Sequence, residues 1–250
     1  MLVFATAAAL TLAREWGMSY AELIPYATPG FVAFGLFSLP AGWLADKWSR
    51  EGMMLVFFFG IGISAAATAL AQSPLQIAFG LFAIGVFGAI YHPVGIPLVI
   101  EGRVKTGLRI AVNGVFGNLG VASAALLTGY LVDQSGWRLA FIWPGLVTIV
   151  IGVGYAILVV RGHSKEPSAD EGGASPATAT AGSLQLGRNL LIRIFAIVFF
   201  STAVGSLVFQ STTFTLPKIF DERLGDLAVS ATLVGWYAFV VFAKIVRVHV

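Results

Sequence analysis

Apolar residues fall into blocks near 1–13, 24–45, 53–72, 75–100, 108–132, 138–160, 190–216 and 227–243. Short charged or Gly/Pro-marked breaks separate them. A helix crosses a bilayer in about 20 apolar residues, and most of these blocks have that length. Backbone polar groups in lipid must be satisfied within their own segment, so each block predicts a helix. The pattern therefore predicts seven full or nearly full spans and a stub. The stub, residues 1–13, is short for a crossing and lacks the basic leader of a cleavable signal. Two readings are open for it: a first span whose N-terminal part is absent from this chain, or a short or tilted helix.

The breaks carry the charge. If the Asp46–Arg50 loop is cytoplasmic, so are loops 101–109 and 161–193 and the C-terminal end. That side holds eleven basic residues: Lys47, Arg50, Arg103, Lys105, Arg109, Arg161, Lys165, Arg188, Arg193, Lys244 and Arg247. The other side holds four: Arg14, Arg138, Lys218 and Arg223. This bias sets the orientation. Residues 162–187 are rich in Gly, Ala, Ser, Pro and charge. They cannot bury apolar area and read as a flexible cytoplasmic linker. The expected division is a first bundle over 1–161, a linker over 162–188, and the start of a second bundle over 189–250. A faint repeat agrees with a duplicated half. Arg14-Glu15-Trp16-Gly17 resembles Glu222-Arg223-Leu224-Gly225, about 208 residues on.

Composition confirms the class. Of 250 residues, 58% are hydrophobic and 11% charged, against about 25% charged in soluble domains. The fold class is all-α, a polytopic membrane bundle. With no cysteine, disulfides and thiolate metal sites are excluded. The net charge of +3 comes without a clustered basic patch, so no nucleic-acid partner is expected. No H-E-x-x-H, G-x-S-x-G or paired intramembrane carboxylates are present, so no enzyme, metal or cofactor is expected.

The loop after the second span reads Gly42-Trp43-Leu44-Ala45-Asp46-Lys47-Trp48-Ser49-Arg50-Glu51. It resembles the signature G-x-L-x-D-[RK]-x-G-[RK]-[RK] between helices two and three of the major facilitator superfamily. Gly42, Leu44, Asp46, Lys47 and Arg50 match, while Ser49 stands for the usual Gly and Glu51 for the last basic residue. Gly42 allows close helix approach. Asp46 is placed to meet a helix dipole. Lys47 and Arg50 can anchor at headgroups or pair with carboxylates. The resemblance implies a conformational latch at Gly42, Asp46, Lys47 and Arg50. It also implies a first six-helix half plus the start of a second. The eleventh helix, which receives the Asp in the family, is not in this chain.

Candidate pathway residues are His92, Asn113, Asn118 and Gln210. A histidine in an apolar span is a functional-site candidate, and imidazole exchanges protons near physiological pH. Pro93, Gly95 and Pro97 loosen the helix behind it. The alternative for His92 is a packing role through a hydrogen bond to a neighbouring helix. Asn113 and Asn118 line the pathway or join helices. Gly117 and Gly120 suggest a face for close helix contact. Gln210 heads a polar cluster that is either a substrate contact or a helix end. Trp137-Arg138 and Asp133 read as interface anchors or an outer ion pair. His92-Pro93 with Gly117-Asn118-Leu119-Gly120 resembles the fosmidomycin-resistance branch, which implies efflux of a small compound with proton antiport.

The expected function is secondary transport of a small solute by alternating access, extending to proton-coupled efflux. The expected partners are a small-molecule substrate, protons and the lipid of the cell (inner) membrane, around a monomer. The alternative is a truncated, non-transporting membrane protein or pseudogene-like product.

Overall fold

The computed structural model describes residues 4, 8–101, 106–163 and 188–223, with 232, 233, 236 and 240; at 162, 163 and part of 188–223 it describes the backbone alone. The described residues form a series of helices. They are α1 (Ala9–Glu15), α2 (Tyr20–Lys47), α3 (Arg50–Thr68), α4 (Pro74–Ile100), α5 (Thr106–Ser135), α6 (Trp137–His163) and α7 (Arg188–Arg223). Helices α2 to α6 are each long and apolar enough to cross a membrane. The all-α membrane bundle expected from the apolar blocks is what forms. Residues 164–187 of the linker lie outside the described residues, as does nearly all of the block 227–243.

Serines set the helix starts. The first turn of a helix leaves N–H groups without intrahelical partners, and a serine hydroxyl can accept from one of them. Ser19 Oγ accepts from Glu22 N at 3.2 Å, and Glu22 Oε2 accepts from Ser19 N at 2.8 Å. Ser49 Oγ accepts from Gly52 N at 3.1 Å, and Ser73 Oγ from Gln76 N at 3.4 Å. The serine that departs from the loop signature is thus the cap of α3.

Packing follows small residues. Lipid tails give helices no hydrophobic reason to associate, so contact depends on how closely backbones approach. A Cβ added at Gly62 of α3 would lie 2.7 Å from the Gly145 carbonyl oxygen of α6, and one at Gly145 would lie 2.8 Å from that of Gly62. Gly85 of α4 sits in the same way on the Gly30 carbonyl of α2. At Gly117 and Gly120, where a close-contact face was expected, a Cβ meets no described residue within 4 Å. Both lie on the exposed part of α5. A glycine permits close approach but does not choose the surface that approaches.

The buried side chains form two clusters, one at each end of the bundle. Leu12, Leu23, Ile77, Leu81, Trp137 and Phe141 belong to the one at the α5–α6 turn. Ala41, Ala45, Met53, Met54, Ile90 and Val94 form the one near the Asp46 loop. At the first of these ends, Gly17 and Gly136 adopt φ of 64° and 81°, left-handed values that favour glycine. These turns bring Glu15 against α6. Trp137 Nε1 donates to Glu15 Oε2 at 2.8 Å, and Arg138 pairs with Glu15 Oε1 at 3.6 Å. Arg138 also donates to the Ala71 carbonyl at 3.4 Å. The sequence offered Asp133 as the acid of an ion pair with Arg138, and the acid is instead Glu15 of α1. The indole is buried while the ion pair is half exposed. The indole bond should therefore dominate, because exposed pairs contribute little. Glu15→Ala is expected to cost about 1 kcal/mol and to lower Tm by a few degrees in detergent, with Arg138→Gln costing less. Equal losses from the two substitutions would show the ion pair to be dominant instead.

Candidate functional site

The Asp46 loop closes the space between three helices. Arg50 opens α3 and reaches back to Asp46 Oδ1 of α2 at 3.2 Å. Its other terminal nitrogen reaches Glu101 Oε1, just past α4, also at 3.2 Å. One guanidinium thus holds two carboxylates, a task suited to its planar fork of donors. The cleft around them has a volume of about 350 Å³ and is lined by Ala45, Asp46, Ser49, Arg50, Leu98 and others. Lys47 is exposed and makes none of these ion pairs among the described residues. Gly42 lies one turn before Asp46, and a Cβ there would sit 3.2 Å from Pro93 Cβ. This is the close approach expected of it, and it ties the loop to the next feature.

Helix α4 widens into a π turn over Tyr91–Gly95. Pro93 cannot donate to Ala89, and Pro97 cannot donate to Pro93, so two helical bonds are lost within one turn. A wider turn accommodates this, and such turns occur often at functional sites. Its side chains meet three other helices. Tyr91 donates to Asn113 Oδ1 of α5 at 2.6 Å and lies 5.5 Å from Phe57 of α3. His92 stands edge-on to Phe34 of α2 at 6.0 Å and to Tyr91 at 5.5 Å. The imidazole is exposed. A polar ring cannot face lipid cheaply, so it must face protein or water.

Of the four pathway candidates, His92 and Asn113 come together through Tyr91. Asn118 does not join them. It lies five positions beyond Asn113, which turns it about 140° around the helix, and it is exposed. Gln210 lies within α7, its side chain outside the described residues. Sequence reasoning missed Glu101, Tyr91 and Phe34. Only Tyr91 had a signal, its place beside His92. Glu101 looked like one loop charge among several. Asp133 is also placed unexpectedly, for it accepts from Thr232 rather than pairing with Arg138.

The Major Facilitator Superfamily model matches residues 1–248. A gallate transporter of Pseudomonas putida is 24% identical over 143 residues, 56% of this chain and 32% of that protein. The niacin transporter NiaP of Acinetobacter baylyi is 28% identical over 146 residues, 57% of this chain and 33% of its own length. The 4-hydroxybenzoate transporter PcaK of Pseudomonas aeruginosa is 23% identical over 219 residues, 81% of this chain and 49% of its own. The chain thus spans between a third and a half of these relatives. The narrower likeness to the fosmidomycin-resistance branch rests on His92-Pro93 and the Gly117–Gly120 stretch alone. The match across nearly the whole chain, the apolar helices and the Asp46–Arg50 loop agree, and the chain belongs to the Major Facilitator Superfamily.

Proposed function

We propose that the full-length protein is a secondary transporter that moves a small aromatic carboxylate by alternating access, with His92 as the group that meets the anion. The observation that carries the reading is the π turn of α4, which presents an exposed imidazole beside the rings of Phe34 and Tyr91. Aromatic pairs prefer offset or edge-to-face arrangements, and such a setting suits a flat ring. An imidazole N–H donates to a carboxylate. The names of the gallate, niacin and 4-hydroxybenzoate transporters support an aromatic acid as the cargo. In this reading Asp46, Arg50 and Glu101 form the latch, with Gly42 setting its helix spacing and Lys47 anchoring it at the headgroups. Asn113 holds Tyr91 in place, and Asn118 and Gln210 belong to the wider pathway. The Asp46 end and the 162–188 linker between the two bundles are cytoplasmic, and the protein is a monomer in the cell membrane.

The test is flux in liposomes carrying the full-length protein, with a labelled aromatic carboxylate and an imposed pH gradient of either sign. Saturable flux that stops when the gradient collapses is expected. The favourable sign of the gradient separates uptake from efflux. A panel of aromatic carboxylates giving no saturable flux would overturn the reading.

A further inference from the structure

We propose that Asp133 is a positioning residue of the transport cycle, a latch that joins the outer end of α5 to Thr232 in one state and releases it in the other. The inference rests on the transport reading above. Asp133 Oδ2 accepts from the backbone N–H of Thr232 at 2.7 Å and from the Thr232 hydroxyl. The two residues are 99 positions apart, on opposite sides of the 162–188 segment. The bond therefore links the first six helices to a residue beyond α7.

Three features suit it to a latch. First, one partner stands on a fixed platform. Asp133 precedes the Gly136 turn by three residues, and that turn is tied down by Glu15, Trp137, Arg138 and the Ala71 carbonyl. Second, a further junction lies at the same end. Lys218 near the end of α7 lines a cleft of about 410 Å³ with Arg14, Met18, Ser19 and Tyr20 of the α1–α2 turn. The ion pairs at the Asp46 end, by contrast, join groups within the first six helices. Third, the bond is exposed. Water can replace either partner when it opens, so it can break and re-form within a working cycle. An ionised acceptor still makes the closed contact stronger than a neutral pair. A bond that exists in one state alone biases the equilibrium between states.

These 250 residues hold no cysteine; any cysteine elsewhere in the full-length protein is first replaced by serine. The full-length protein carrying Asp133→Cys and Thr232→Cys is oxidised in membranes, and flux is measured before oxidation, after it, and after reduction. The latch predicts disulfide formation, a fall in flux of at least about 10-fold, and recovery on reduction. A static strut would also cross-link, but locking it would leave flux unchanged, and that result overturns the latch. In a second variant, Asp133→Ala should raise the labelling of Met18→Cys by an impermeant maleimide about 5-fold. Unchanged labelling, or no disulfide under oxidation, would likewise overturn it. If the unmodified protein moves no solute, the transport reading fails first and the latch with it.

Discussion

Replacing His92 with alanine is expected to cut solute flux about 10- to 100-fold. The magnitude is that of a hydrogen bond to a charged partner, about 1.5–3 kcal/mol, converted to a ratio. The loss should fall on binding, because an imidazole N–H donates to a carboxylate. His92→Ala removes the donor and should raise the KM for the carboxylate. His92→Gln keeps a donor of another shape and should retain part of the binding. The fold should tolerate both changes. The His92 contacts described are edge-on rings at 6.0 and 5.5 Å, and such pairs are worth about 0.5–1.5 kcal/mol each. Both variants should therefore appear in the membrane at parental levels. A histidine that only packs would give the opposite pattern, with lowered stability and unchanged flux per folded transporter.

The spans were legible in the sequence because lipid leaves few alternatives. An apolar block of sufficient length must be a helix, and serines 19, 49 and 73 lie where α2, α3 and α4 begin. The Asp46–Arg50 ion pair was within reach of the sequence too, since the two residues are one helical turn apart in number. The second acid on Arg50 was not, because Glu101 is 51 positions from Arg50, and only the packing of α4 beside α2 and α3 closes that gap. His92 announced itself by the cost of a polar ring in an apolar span. Its setting stayed hidden, since Phe34, Phe57 and Asn113 come from three different helices. The Gly-rich stretch of α5 meets no described helix at Gly117 and Gly120. Small residues show where helices can meet, and the partner surface decides where they do.

That distinction gives a large expected effect on stability, and two glycines of one helix test it. Gly145 and Gly154 both lie in α6, nine positions apart, on opposite faces. A Cβ at Gly145 would meet the Gly62 carbonyl oxygen at 2.8 Å, Ala65 Cβ at 3.3 Å and Ala66 N at 3.4 Å. Two of these atoms are backbone and cannot rotate away, so α3 and α6 must separate along their contact. Such overpacking costs about 1–3 kcal/mol, and no hydrophobic drive in lipid restores the lost contact. At Gly154 a Cβ meets no described residue within 4 Å. There alanine relieves the conformational freedom of glycine and should gain about 0.5–1 kcal/mol. The same chemical change should therefore lower Tm at position 145 and hold or raise it at 154, read by thermal unfolding in detergent. Gly145→Leu should go further and prevent accumulation of folded protein. Gly62→Ala should repeat the loss from the other side of the contact, since its Cβ would lie 2.7 Å from the Gly145 carbonyl oxygen. The double variant should lose less than the sum of the two, because helices already parted by one methyl have room for the other. Equal effects at 145 and 154 would mean that α3 and α6 do not meet at these glycines.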